Sequence, residues 1–271
     1  MTTSASVPVE PRPAASVVIV RDAAASGAEP LEVWMVRRKT TMKFLGGYYA
    51  FPGGRVDVAD GAAEALACCQ GLGVEGAEAM FPGHDDLPAL AFWVTAVREL
   101  LEESGILLAC DAAGRPIDGR DPATREAVAG LRRELMAGGA LPALLARHQW
   151  ACDVRQLRYL SHFITPTSSP IRFTARFFLC RAPADQAPAL FTEETSEAFW
   201  IHPGEGYRRF VAGEMAMAEP AEYGLGYLAQ FRSVDELWEA HADGRHKFHG
   251  VVDRIHGFWK DFDWKANRWP R

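Results

Sequence analysis

Residues 89–104 (ALAFWVTAVRELLEES) constrain this 271-residue chain more than any other segment. At helical spacing, Leu90, Trp93, Val94, Val97, Leu100 and Leu101 fall on one broad arc, and Glu99, Glu102 and Glu103 fall on the opposite arc. The spacing predicts a helix with one buried face and one face of three convergent carboxylates, stopped by Gly105. Local helix stability does not account for the acidic arc. Like charges at i,i+4 cost roughly 0.2–0.5 kcal/mol each, and Glu102 and Glu103 stand near the C-terminus, where the helix dipole disfavours anions. Three glutamates alone would read as a solvated face. A bound divalent cation gives them a purpose, because hard carboxylate oxygens suit Mg²⁺ or Mn²⁺. Arg98 is placed to pair with Glu102 at i,i+4 and orient it.

Around this helix the chain alternates between strand and helix signals. The β-branched runs 16–21 and 32–37 read as a hairpin-like strand pair joined by a small-residue link at 22–30, and 48–52 as a third short strand. Residues 58–88 read as irregular, with one short helix near 62–70. A buried strand is expected at 106–109, a helix to about 137 opened by Asp121-Pro122, and a second helix at 141–149. Strands follow at 157–164 and 171–180, paired antiparallel across a turn-rich TPTSSP segment, and again at 198–201. Beyond these the chain turns helical, with Ser233 and Glu236 as a capping box for a helix to about 242. Strands, a helix, strands and then helices predict one α+β domain with insertions.

Composition excludes several classes. The formal net charge is −6, which argues against nucleic acid or an anionic membrane surface as a partner. The apolar runs span only a few residues, far short of the ~20 that a membrane-crossing helix needs. Residues 1–13 read as a flexible lead-in without a targeting pattern, so a cytoplasmic location is expected. Five cysteines without a C-x-x-C pair suit buried, reduced thiols. His162, His202 and His249 lack metal-ligand spacing.

Upstream of the acidic helix stands Phe51-Pro52-Gly53-Gly54-Arg55-Val56-Asp57, whose glycines permit a turn with close backbone approach to a ligand. Downstream, the run Arg98-Glu99-Leu100-Leu101-Glu102-Glu103-Ser104-Gly105-Ile106 resembles the second half of the Nudix box, R-E-U-x-E-E-x-G-U, at every position. Gly54 resembles the glycine that opens the box. The usual G-x5-E-x7-R connection is changed: Asp60 stands where a glutamate is usual, and Arg98 follows it by 38 residues rather than eight. About 30 residues therefore interrupt the motif, near 61–88.

A box interrupted in this way is similar to the peroxisomal-type coenzyme A diphosphatases and their bacterial relatives, as are Arg37-Arg38, Ile164-Thr165-Pro166 and the run from Arg172 to Phe178. The separate coenzyme A box of some other members is not found. The terminal Trp269-Pro270-Arg271 is not a peroxisomal address of the S-K-L type.

The resemblance implies a Nudix fold, a mixed β-sheet sandwiched between helices, over 14–271. Helical elaborations are expected at about 111–150 and 204–250. It further implies hydrolysis of a nucleoside diphosphate linked to another group, with Mg²⁺ or Mn²⁺ held by Glu99, Glu102 and Glu103. Among three loop glutamates, Glu193, Glu194 and Glu197, the expected general base is Glu197. Gly53, Gly54, Arg55, Arg38 and Arg172 are the expected substrate contacts, with Arg55 foremost. Strand alternation prevents Arg37 and Arg38 from facing the same site. The expected partner is a small nucleotide-type diphosphate, coenzyme A or acyl-coenzyme A first. ADP-ribose, a dinucleotide or a nucleotide sugar is the alternative, and a catalytically silent nucleotide sensor the third reading. A homodimer is left open.

Overall fold

The computed structural model describes residues 9–23, 30–243 and 248–250. The run Val17-Val18-Ile19-Val20 is apolar at every position, the pattern of a strand covered on both faces. It lies in the first strand, β1 (Arg12–Asp22). Val17 and Ile19 join one core and Val18 and Val20 another, and all four are fully buried. The hairpin partner β2 (Leu31–Arg38) runs antiparallel to β1, with Val20 opposite Val33. Strands β3 (Tyr49–Ala50) and β4 (Gly53–Arg55) pair with β2 and β1 respectively.

The chain then makes an excursion through α1 (Ala63–Ala67), β5 (Cys69–Gln70) and α2 (Val74–Met80) before entering α3 (Leu90–Ser104). Beyond α3 come β6 (Ala109–Cys110), α4 (Pro122–Met136), α5 (Leu141–Ala146), β7 (Ala151–Asp153), β8 (Leu157–Ile164), β9 (Phe173–Arg181) and β10 (Thr195–Ile201). Helices α6 (Pro203–Val211), α7 (Glu219–Leu228) and α8 (Val234–Ala240) and a short β11 (Phe248–Gly250) follow. The main sheet has the order β10-β2-β1-β9-β8-β11 and is mixed, since β1 and β9 are parallel while β1 and β2 are antiparallel. A small sheet, β5-β7-β6, stands apart.

Two layers of helices cover the main sheet. On one face α3 packs with Trp93, Val97 and Leu101 against Ala15, Val17 and Ile19 of β1. On the other, Tyr223, Leu225 and Leu237 of α7 and α8 meet Val18, Val33 and Met35. This is the expected sandwich. Gly105 closes α3 with φ +75, and its N–H reaches Leu101 O at 3.0 Å. A left-handed residue here favours glycine. Asp121 caps α4 through the N–H of Thr124 at 3.0 Å. Ser233 caps α8, while Glu236 accepts the N–H of Arg232 rather than that of Ser233. No helix among the described residues is long and apolar enough to cross a membrane.

Several boundaries differ from those expected. The first strand starts at Arg12, inside the segment read as a lead-in, because Arg12 and Pro13 already pair with Phe173 and Thr174 of β9. Residues 58–88 hold a 3-10 turn (Val58–Gly61), two α-helices and a strand, not one helix. Ile106, Leu107 and Leu108 are buried, as expected, but only Ala109–Cys110 form ladder pairs, with β7. The helix expected at 141–149 stops at Ala146, and Gln149 takes φ +57.

Candidate active site

Arg98 is the hub of the site. Its guanidinium donates to Asp60 through Nε at 3.0 Å and Nη2 at 2.8 Å, and to Arg55 O through Nη2 at 2.8 Å. Through Nη1 it donates to Glu99 Oε1 at 2.7 Å and to Glu102 Oε1 at 3.3 Å. Residues 38 positions apart are thus brought into contact at the two ends of the excursion. Asp60 is buried and also accepts from Thr95 Oγ1 at 2.7 Å and from Asp57 N at 3.0 Å. It serves as the anchor of Arg98. Burial pulls the Arg98 pKa down, but the bonds to Asp60 and the charges of Glu99 and Glu102 outweigh it and hold the group fully charged.

The three glutamates are tied to Arg98 and the β4 turn, with Glu99 buried and Glu102 and Glu103 half-buried. Glu103 accepts the N–H of Gly53 at 3.1 Å. Burial raises the Glu99 pKa to about 7 against the opposing charge of Arg98. Burial and the Glu99 charge raise Glu103 to about 8, and burial also raises Glu102. A solvated acidic face is therefore the wrong description. Among the described residues no three His, Cys, Asp or Glu side chains already stand as a ready cage for a metal. Arg98 Nη1 takes up the oxygens of Glu99 and Glu102, so these two converge on a guanidinium. The donor set still fits a hard divalent cation. It offers clustered carboxylate oxygens whose raised pKa values express a need for positive charge.

Gly54 makes this clustering feasible. A Cβ at position 54 would lie 2.3 Å from Glu99 Oε1 and 2.6 Å from its Cδ. Gly54→Ala is expected to push the Glu99 carboxylate aside and lower metal-dependent turnover about 10²-fold, the cost of misplacing a reacting group by ~1 Å. The oxygen that must yield is also bonded to Arg98 at 2.7 Å, so the melting temperature should fall too, by less than for loss of Arg98 itself. Paired kinetics and thermal melts check this, and unchanged turnover would remove Gly54 from the site.

The glutamates open onto a cleft of ≈760 Å³. Gly53, Gly54, Arg55 and Arg38 line it, as expected, together with Glu193 and Glu194. Aromatic side chains also line it: Phe44 and Phe173, which meet edge to face at 5.1 Å, and Tyr48 and Phe163. The structure does not bring Glu197 or Arg172 to this cleft. Glu197 sits across the ladder from Arg37, which donates to it at 3.2 Å, and Tyr49 Oη donates at 3.1 Å. Directly opposed residues share a face, so Glu197 follows Arg37 away from the site while Thr195, opposite Arg38, lines it. Arg172 is buried and donates to Thr165 O at 3.0 Å and Val9 O at 2.5 Å, tying β8 to the start of the chain. His162 bonds Thr174 and His202 bonds Leu31 O, and the side chain of His249 lies outside the described residues.

One cleft residue escaped the sequence reading. Arg132 of α4 donates to Glu102 O at 2.8 Å and to Glu193 at 3.2 Å, with its guanidinium 3.4 Å from the centre of the Phe191 ring. It fastens the end of α3 to the loop that carries Glu193 and Glu194. The signal was an arginine on the stripe of α4 that buries Val128, Leu131 and Leu135.

Comparison with known proteins agrees with the motif. The family profile described as the NUDT19 Nudix domain matches residues 11–228. A Caenorhabditis elegans protein that carries the nudix hydrolase name is 30% identical over 203 residues, which cover 75% of this chain and 57% of that protein. An acyl-coenzyme A diphosphatase NUDT19 of Gallus gallus is 28% identical over 274 residues, covering 86% of this chain and 71% of the relative. The chain thus spans little more than half of the worm relative. The crystal structure of a NUDIX hydrolase from Alicyclobacillus acidocaldarius superposes with a TM-score of 0.68 at 34% identity, covering 83% of this chain and 94% of that one.

Proposed function

The chain belongs to the NUDT19 Nudix domain family, and from that premise we propose that it is a divalent-metal-dependent diphosphatase whose substrate is coenzyme A or an acyl-coenzyme A. The products would be 3′,5′-ADP and (acyl-)4′-phosphopantetheine. The observation that carries the chemistry is the convergence of Glu99 and Glu102 on Arg98, with Glu103 held at the adjoining Gly53 turn, at the wall of an open cleft. The substrate rests on the name of the Gallus gallus relative and on a cleft that has aromatic as well as charged walls.

Glu99, Glu102 and Glu103 would hold Mg²⁺ or Mn²⁺. Such an ion neutralises diphosphate oxygens and lowers the pKa of an attacking water. Arg98 fixes the rotamers of Glu99 and Glu102, and Gly53 N–H fixes that of Glu103. Arg38 and Arg55 line the cleft where anionic oxygens must lie. Glu194 would accept the proton of the attacking water, in place of Glu197, because it lines the cleft and its charge raises the Glu103 pKa. Glu194→Gln is expected to lower kcat about 10²- to 10⁴-fold, the range of a general base, with Glu197→Gln within a few-fold of the parent. The reverse pattern would restore Glu197.

The test of substrate is a panel of diphosphates with products read by mass spectrometry in ¹⁸O-water. Coenzyme A turnover with label in one phosphate product is expected. Faster turnover of ADP-ribose by orders of magnitude would overturn the substrate, and tight nucleotide binding without turnover would overturn the enzyme.

Metal dependence has a second readout. Glu99 and Glu103 titrate near 7 and 8 in the folded protein against 4.5 for a free carboxyl. The folded chain therefore holds protons that the unfolded chain has lost. In chelator, stability should fall as pH rises from about 5 to about 8 and return as pH falls. A bound cation replaces those protons, so Mg²⁺ should raise the melting temperature more at about pH 8.5 than at about pH 5.5. A gain independent of pH would argue against these carboxylates as ligands.

A further inference from the structure

The excursion between Asp60 and Arg98 carries a second cluster of reactive groups. Cys68 ends α1, and Cys69 lies on β5 opposite Cys152 of β7. The Sγ atoms of Cys68 and Cys152 are 3.6 Å apart, and Cys152 N–H donates to Cys68 O at 2.8 Å. The two sulfurs are thus already neighbours, and a disulfide requires them to close to about 2.05 Å. Cys68 and Cys69 are partly exposed, whereas Cys152 is fully buried. The other two thiols stand elsewhere: Cys110 is opposite Ala151, so it faces the other side of the small sheet, and Cys180 is buried in the main sheet.

We infer that Cys68, Cys69 and Cys152 form a peroxide-reactive thiol site, in which Cys68 is oxidised first and Cys152 closes a Cys68–Cys152 disulfide. Accessibility and proximity set the order, since only the outer thiols meet solvent and Cys152 waits behind them. The Cys68 thiol donates to Ala65 O at 3.1 Å, and the neighbouring Cys152 and Cys69 thiols lower its pKa, whereas burial alone raises that of Cys180 to about 12. In the first step the Cys68 thiolate attacks one peroxide oxygen, the O–O bond breaks, and the products are Cys68 sulfenic acid and, after proton uptake, water. In the second, the Cys152 sulfur displaces that hydroxyl as water and forms the S–S bond. Two thiols lose two hydrogens and one peroxide becomes two waters. The bond would join the end of α1 to β7 and so fasten the excursion that begins beside Asp60.

The inference does not depend on the hydrolase reading. Its test is treatment of the full chain with a small molar excess of hydrogen peroxide, followed by intact mass and non-reducing peptide mapping. The expected result is a loss of two hydrogen masses, a Cys68 peptide linked to a Cys152 peptide, reversal by a dithiol reductant, and modification of Cys68 about tenfold or more faster than Cys110 or Cys180. In Cys69→Ala/Cys152→Ala the reaction should stop at sulfenic acid on Cys68, trapped by dimedone and formed more slowly because both thiol neighbours are gone. Unmodified protein, a Cys68–Cys69 link, or Cys110 and Cys180 reacting as fast as Cys68 would overturn the assignment.

Discussion

Replacing Glu102 with glutamine should lower metal-dependent turnover about 10³-fold and leave the fold intact. The exchange keeps the shape of the side chain and removes one anionic oxygen donor. Stabilisation of phosphoryl charge by a metal is worth several kcal/mol, and each ~1.36 kcal/mol is tenfold in rate. Glu102 is half-buried, and burial raises its pKa while Arg98 lowers it. Neutralising it relieves the crowding around Glu99 and Glu103, so the chelated variant should melt no lower than the parent. Single-turnover kinetics over a range of Mg²⁺ concentrations, beside thermal melts, read both effects. Activity within tenfold of the parent at saturating metal would refute the site.

Arg98→Ala should have the larger effect on stability. The guanidinium is the only cation that touches Asp60 and Glu99 among the bonds described, and both carboxylates are buried. Removing one partner of a buried pair leaves charge without compensation, at a cost of about 3–5 kcal/mol. For a chain of this size that is roughly 10 °C in melting temperature. Lysine should restore little, because a point charge cannot reach Asp60, Glu99 and Arg55 O together as the planar fork does. Asp60→Asn in the Arg98→Ala background should recover part of the loss, since it removes one stranded charge. A melting temperature within about 2 °C of the parent for Arg98→Ala would show that the cluster is well hydrated.

What was readable in the sequence follows the range of the forces involved. The acidic helix, its glycine stop and the caps at Asp121 and Ser233 are set by neighbours within one turn, and they stand where the spacing put them. Glu99, Glu102 and Glu103 share a face for the same reason. The alternation of Arg37 and Arg38 was also readable, and Arg38 is the one that lines the cleft. Which of the loop glutamates lines the cleft was not. That depends on how β10 aligns with β2, and the register shifts between Thr195 and Glu197. A bulge of that kind changes which side chains face inward. Arg172 resembles a phosphate ligand by type, but it binds the carbonyl of Thr165 across the β8–β9 turn and that of Val9, far away in sequence. Arg132 acts on the site from another helix, and no local pattern reports a contact with Glu102 thirty residues away.

The meeting of Asp60 and Arg98 has a consequence for how such a site is inherited. The functional unit is a spatial pairing, 2.8 Å across, and the chain between its halves is free to lengthen. Loop-closure entropy grows only logarithmically, about 0.6 kcal/mol for each doubling of length. A segment of any content that leaves after Asp60 and returns before Arg98 therefore preserves the pairing at small cost. The excursion is a place where new modules accumulate without disturbing the chemistry, and motif searches that demand fixed spacing will miss chains that have used it.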